Sequence, residues 1–225
     1  MNEALARDEI CRVGESLFAR GYVHATAGNI SVRLPDSDGG GYLITPTDAC
    51  LGNLNPKKLA RLDANGIQIS GDKASKTIAL HKTIYAATQE TNQSASCVIH
   101  THSTYCVALT LPDALRGELL PALTPYFVMK VGHVPVIPYH RPGDPLAAEL
   151  VAKSIRDYAN KGIGLRGVML SRLGPNVWHD SPASAMAVLE ELEETAKLWH
   201  LSEPKPSPLC ESDIQELREV FQVSW

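Results

Sequence analysis

Ser96-Cys97-Val98-Ile99-His100-Thr101-His102-Ser103 runs from small and apolar residues into two histidines one residue apart. A buried strand over Cys97–Ile99 would turn His100 and His102 to the same face, because side chains alternate with period two. Their Cα atoms would then lie roughly 6.6–6.8 Å apart. Two imidazoles at that spacing can converge on one metal ion. The same residues also suit a plainer use, a polar strand end bonded to backbone or water.

Working outward, the 225-residue chain is 44% hydrophobic and 20% charged, an ordinary balance for one domain with a sizeable core. A formal net charge of −4 leaves no basic footprint, so nucleic acid is not an expected partner. No run approaches the roughly 18 apolar residues of a membrane span. Met1–Arg12 carries Glu3, Arg7, Asp8, Glu9 and Arg12, so a secretory leader is not expected. Five scattered cysteines without a CxxC pair read as reduced thiols, which suits a cytoplasmic protein.

In chain order, 2–20 reads as a helix stopped by Gly21. Ile30, Val32 and Leu34 alternate with Ser31 and Arg33 as a half-buried strand, after the small-residue loop 24–29. Asp36–Gly41 is a turn, 42–45 the returning strand, and Asn65-Gly66 the turn of a second hairpin joining 59–62 to 67–69. The polar loop 71–77 feeds a helix from about Ile78 to Thr88. Its lysines, its serine and the helix start suit an anion. After the histidine strand come a helix at 103–109, short apolar segments at 127–129 and 134–137, a helix at 146–160, a strand at 168–171 and a long helix at 184–200. Mixed elements with frequent hairpins predict an α/β sandwich whose sheet is largely antiparallel.

The ordered set Thr26-Ala27-Gly28-Asn29-Ile30-Ser31, Ile44-Thr45-Pro46-Thr47, Ser75-Lys76-Thr77 with His81, His100-Thr101-His102 and Thr124-Pro125-Tyr126 resembles the class II aldolase/adducin family, from about residue 5 to 200. Within it, Cys50–Pro56, Ser70–Lys73, Tyr139–Asp144 and Glu190–Leu198 resemble the 3-oxo-tetronate 4-phosphate decarboxylase branch. The resemblance implies a single three-layer α/β/α domain, with residues 201–225 a tail, and commonly a homotetramer with active sites between subunits. It implies a divalent metal, usually zinc with manganese an alternative, on His100 and His102. It places a phosphate against Thr26, Gly28, Asn29, Thr45, Thr47, Asp48, Ser75 and Lys76, and a tyrosine, Tyr126, that reaches the neighbouring subunit's site. The implied substrate is a small sugar acid or sugar phosphate.

Four positions depart from that pattern. The family's catalytic glutamate falls on Thr77, and its third metal histidine falls on Leu173 in the turn Arg172-Leu173-Gly174-Pro175. Asp48 stands where a glycine follows Thr-Pro-Thr, and Ala74 replaces a proline. His179 is the first substitute for the missing ligand, with His24, His81, His133 and His140 behind it; Lys76, Thr77 and Tyr126 are the candidate catalytic residues. The expected function is a metal-dependent carbon–carbon lyase releasing carbon dioxide from a 3-oxo sugar acid. The alternatives are an aldolase or epimerase of the fuculose-phosphate type, and a binding or scaffold member that has lost catalysis, as Thr77 and Leu173 would suit.

Overall fold

The computed structural model describes residues 1–112 and 117–225. Helix α1 (Glu3–Ala19) starts where the Asn2 side chain accepts the Leu5 amide at 2.9 Å, and it ends before Gly21 at φ +75°. Strand β1 (Asn29–Arg33) turns through Asp36–Gly41 into β2 (Tyr42–Ile44), and β3 (Ala60–Leu62) pairs with β4 (Gln68–Ser70) across the Asn65-Gly66 turn. Then follow α2 (Ile78–Glu90), β5 (Cys97–His100), α3 (Thr104–Leu109), β6 (Val136–Ile137), α4 (Pro145–Ala159), β7 (Gly167–Leu170), β8 (Gly174–His179), α5 (Pro182–Leu201) and α6 (Glu211–Phe221).

The strands form one eight-stranded sheet in the order β4-β3-β2-β1-β5-β8-β7-β6, antiparallel except for β6 on β7. Alternation then divides the central strands. Ile30, Val32, Cys97, Ile99 and Val177 point into one core with α1 and α5. Val98, Val168 and Trp178 point into a second core with Ile84 and Tyr85 of α2 and Val151 and Ile155 of α4. The expected three-layer sandwich with a largely antiparallel sheet is what the chain builds.

Two local outcomes differ from the expectations. Phe127–Val131 is a π-helical turn, opened by the Thr124 hydroxyl accepting the Phe127 amide at 3.0 Å and closed by Gly132 at φ +78°. The segment 201–225, expected as a tail, contains α6, which buries Ile214 with Ala122 and Val128. Only Ile214 of it is fully buried, but Ile214, Leu217 and Phe221 recur at helical spacing among charged residues, a pattern the expectation of a tail passed over.

Candidate functional site

Strand β5 has neighbours on both sides, and its register assembles the site. Asn29 of β1 and Asn176 of β8 each stand directly opposite His100. Directly opposite residues in antiparallel strands share a face. Asn29, His100 and Asn176 therefore form a row on the α2 side of the sheet, 7%, 7% and 0% exposed. The His100 ring donates from Nδ1 to the Pro175 carbonyl at 3.0 Å, which leaves its Nε2 as a bare lone pair. His102, half-buried just past the strand end, sets its ring edge-on at 5.0 Å between centroids. The turn at 171–174 presses on the residue between them. A Cβ on Gly174, whose φ is +140°, would lie 1.9 Å from the Thr101 carbonyl oxygen, so only glycine fits there.

Burial holds these imidazoles neutral. Desolvation, then the nearness of His102, pushes His100 down to about 4 against the hydrogen bond to Pro175, which favours the charged form. Burial also lowers His102, with a smaller contribution from His24, an exposed residue. Neutral imidazole is the form that ligates a metal. His100 thus has one ring nitrogen held by a backbone carbonyl and the other free, as a ligand does. Two nitrogens are nonetheless one short of the three protein ligands usual for catalytic zinc. Among the described residues no three of His, Cys, Asp and Glu come together around a metal position. The pair supplies two nitrogens and does not complete the three-histidine site that the resemblance implies.

His179 does not supply the third ligand. It pairs with Cys97, at the opposite end of β5 from His100. Three residues of strand put it about 10 Å along β8 from Asn176. Odd spacing turns it to the other face, and its Nδ1 lies 2.7 Å from Asp180. His133 and His140 sit with Glu118 and Asp144 at 3.3 and 3.7 Å.

Thr77 is brought to the row. Asn29 Nδ2 and the Ser75 hydroxyl both donate to its Oγ1 at 3.2 Å. The Thr45–Asp48 turn is fastened to the loop before α2 by Thr47 N to Lys73 O at 2.9 Å and Ser75 N to Thr45 O at 3.3 Å. Two of the expected phosphate contacts have another character. The Thr45 hydroxyl is 1% exposed and accepts the Ile30 amide at 3.2 Å, so it serves the fold. Asp48 is exposed at φ +56°, a left-handed conformation that explains a family glycine there and that aspartate tolerates. Thr47 and Asp48 border an open hollow of about 830 Å³ that Lys58 and Lys73 also line. Thr26 and Lys76 are exposed, and Gly28 sits at φ +84° with its Cα against the His100 carbonyl, where a Cβ would come to 2.8 Å. Tyr126 is 62% exposed at the head of the π turn.

Sequence reading overlooked four groups. Asn176 carries no motif, and only the β8 register brings it to His100. Ser31 bonds His81 from beneath, and Tyr85 in turn bonds Ser31. Glu193 of α5, 3% exposed, accepts the amides of Tyr105 and Cys106 at 2.8 and 3.0 Å and so fixes the chain leaving His102. The run Glu190-Glu191-Leu192-Glu193-Glu194 looks like a solvated face; the helical position of Glu193 beside two apolar neighbours was the available signal.

Comparison with known proteins agrees with this fold. Residues 8–200 match the family described as Class II Aldolase and Adducin N-terminal domain. A 3-oxo-tetronate 4-phosphate decarboxylase of Cupriavidus necator is 50% identical, over 99% of this chain and 99% of that one. The protein of the same name from Escherichia coli K12 is 39% identical, over 96% of each. The crystal structure of YgbL from Escherichia coli superposes with a TM-score of 0.82 at 38% identity, covering 96% of this chain and 99% of that one. An L-fuculose 1-phosphate aldolase shares the fold at a TM-score of 0.75 and 23% identity, over 96% of both chains. With most of its length matched and the paired histidines at the end of β5, the chain belongs to the class II aldolase and adducin family.

Proposed function

We propose that this chain is a carbon–carbon lyase that decarboxylates a small 3-oxo sugar acid carrying a terminal phosphate. The observation that carries the reading is the environment of Thr77: a neutral hydroxyl bonded to Asn29 and Ser75 where the resemblance implies a carboxylate. A hydroxyl is no base near neutral pH without activation. Aldol cleavage and epimerisation begin by removing a proton, so they need such a base. Decarboxylation of a 3-oxo acid does not. Its carbon–carbon bond breaks, the electron pair moves into the adjacent ketone, carbon dioxide leaves, and a proton is then returned to carbon. Loss of the glutamate therefore weighs against the aldolase and epimerase reading more than against the decarboxylase one. The name of the 50% identical relative supports the same choice.

In this proposal His100 and His102 would hold a divalent metal, zinc or manganese, which when bound supplies electron withdrawal from the ketone oxygen. Thr26, Gly28, Asn29 and Ser75 with Lys76 would take the phosphate, and the hollow beside Thr47 and Asp48 gives the substrate an approach. Tyr126, exposed at the head of its turn, would act on the site of a neighbouring copy in a homotetramer. The free cysteines support a reducing, cytoplasmic setting, and no helix among the described residues is long and apolar enough to cross a membrane.

The test is incubation of the purified chain, with zinc or manganese, with a 3-oxo-tetronate 4-phosphate and separately with L-fuculose 1-phosphate. Carbon dioxide from the first and no dihydroxyacetone phosphate from the second is the expected result. Aldehyde release without carbon dioxide would overturn the reading in favour of the aldolase. Inertness toward both would favour the scaffold alternative.

A further inference from the structure

Position 77 offers the site the reverse of what a carboxylate would. An ionised carboxylate only accepts hydrogen bonds, whereas a hydroxyl has two acceptor lone pairs and one hydrogen to donate. Both lone pairs of Thr77 are taken, since Asn29 Nδ2 and the Ser75 hydroxyl each donate to Oγ1 at 3.2 Å. The Thr77 hydrogen has no acceptor among the described residues. Nor does the side chain serve the helix, because Thr77 stands at the N-cap of α2 without a side-chain capping bond. Thr77 is half-buried, so its hydrogen is open to whatever enters the site.

The donors around it converge on that one hydrogen. The Ser75 hydroxyl accepts the Thr77 amide at 3.4 Å and gives its own hydrogen to Thr77, while the Ser75 amide is held by the Thr45 carbonyl at 3.3 Å. Ser75 and Asn29, two of the side chains expected to face a phosphate, thus bond to Thr77, and their donation continues through its hydroxyl. Hydrogen bonds in such a chain polarise one another, which strengthens the last donor. The surrounding charge agrees. The first turn of α2 carries no acidic residue, so its positive end stands unopposed, and Lys76 is exposed beside it. Asn29 stands opposite His100 across β1 and β5, so this donor belongs to the same site as the histidines.

We propose that Thr77 is a specificity-determining residue of opposite polarity to the glutamate that the resemblance implies: its hydroxyl donates a hydrogen bond to an anionic oxygen of the substrate, phosphate or carboxylate. It thereby selects ligands that present negative charge at that place. This role rests on the reading of the site as one for a small sugar acid or sugar phosphate.

Isothermal titration calorimetry of the full chain, with erythritol 4-phosphate and erythronate as separate probes and no added metal, tests the polarity. Thr77→Val keeps the shape and removes the hydroxyl, with circular dichroism to check the fold. It should weaken at least one probe by about tenfold or more, the usual size for a hydrogen bond to a charged group. The probe that weakens more identifies the oxygen as phosphate or carboxylate. Thr77→Ser, which keeps the hydroxyl, should stay within about threefold of the wild type. Thr77→Glu, which brings lone pairs and negative charge, should weaken the same probe at least as much as Thr77→Val. A Thr77 that merely ties up its neighbours predicts the opposite sign for Thr77→Val, because Asn29 and Ser75 would be released to donate to the anion. Unchanged or tighter binding of both probes by folded Thr77→Val would therefore overturn the role, as would a wild-type chain that binds neither. A chain that shows these binding changes yet releases no carbon dioxide from the 3-oxo acid would overturn the proposed reaction and leave the role of Thr77 standing.

Discussion

The two faces of β1, β5 and β8 are made by neighbouring residues and differ in character: one is wholly apolar, and the other turns polar around His100. On the α1 and α5 side stand Ile30, Val32, Cys97, Ile99 and Val177, all 0–1% exposed and apolar. On the α2 side, one residue out of step, the polar Asn29, Ser31, His100 and Asn176 are buried nearly as deeply, beside the apolar Val98 and Trp178. Apolar burial needs only a partner surface. Each buried polar atom needs a bond of its own. The first face therefore tolerates exchange of similar shapes, whereas the second is specified atom by atom, which is what a site requires.

Ile99→Ala and His100→Ala break this comparison most sharply. Ile99→Ala should lower unfolding stability by about 2–5 kcal/mol in urea denaturation and leave activity per folded molecule intact. His100→Ala should reverse the pattern, keeping the fold and reducing cobalt or zinc affinity by more than about 100-fold, beyond the loss usual for outer partners. Equal damage to stability and metal binding from both would show that the faces are not separate in function.

Glu193 sharpens the contrast, since it brings one carboxylate onto the apolar side. Glu193→Ala leaves the Tyr105 and Cys106 amides without their acceptor. The expected loss is about 1–3 kcal/mol, read by chemical denaturation. Because those amides follow His102, the variant should also weaken metal binding, which Ile99→Ala should not.

Acid should act on the polar face first. Burial pushes His81 down to about 3 and His100 to about 4. An unfolded chain titrates them near 6.5. Between these values the unfolded state binds protons that the folded state refuses, so stability is full above about pH 6.5 and falls as pH drops toward 4 and 3. The slope is at most about 1.4 kcal/mol per pH unit for each histidine. Urea midpoints at pH 7 and pH 5 check this, and His81→Gln should flatten the slope.

The smallest effect is a control away from both faces. Asp144 caps α4 by accepting the Leu146 amide at 3.1 Å. Asp144→Ala should lower stability by about 1 kcal/mol, seen as a small drop in Tm, with metal binding unchanged.

Much of this was legible from local pattern. The alternation of Ile30 to Leu34, the Asn65-Gly66 turn and the apolar run into His100 are period-two and turn chemistry, which neighbouring residues alone decide. The histidine pair could be read for the same reason. Helix α6 was legible too, in Ile214, Leu217 and Phe221 at helical spacing, and was passed over because it follows the proline-rich segment 202–208. His179 looked like a ligand because it lies close in sequence to Leu173, but the register of β8 gave it the wrong end and the wrong face.

By itself, then, the sequence determined most of the elements, their apolar stripes, and the two imidazoles at one strand end, since these depend on periodicities within a few residues. Tertiary structure alone decided which polar groups share a place. It set Asn176 beside His100, lowered His81 onto Ser31, spent the Thr45 hydroxyl on a strand amide and brought Thr77 to Asn29. The reason is physical: a hydrogen bond needs its atoms within about 3 Å. Between residues fifty or a hundred apart in the chain, only the register of the strands and the docking of helices on the sheet can supply that closeness.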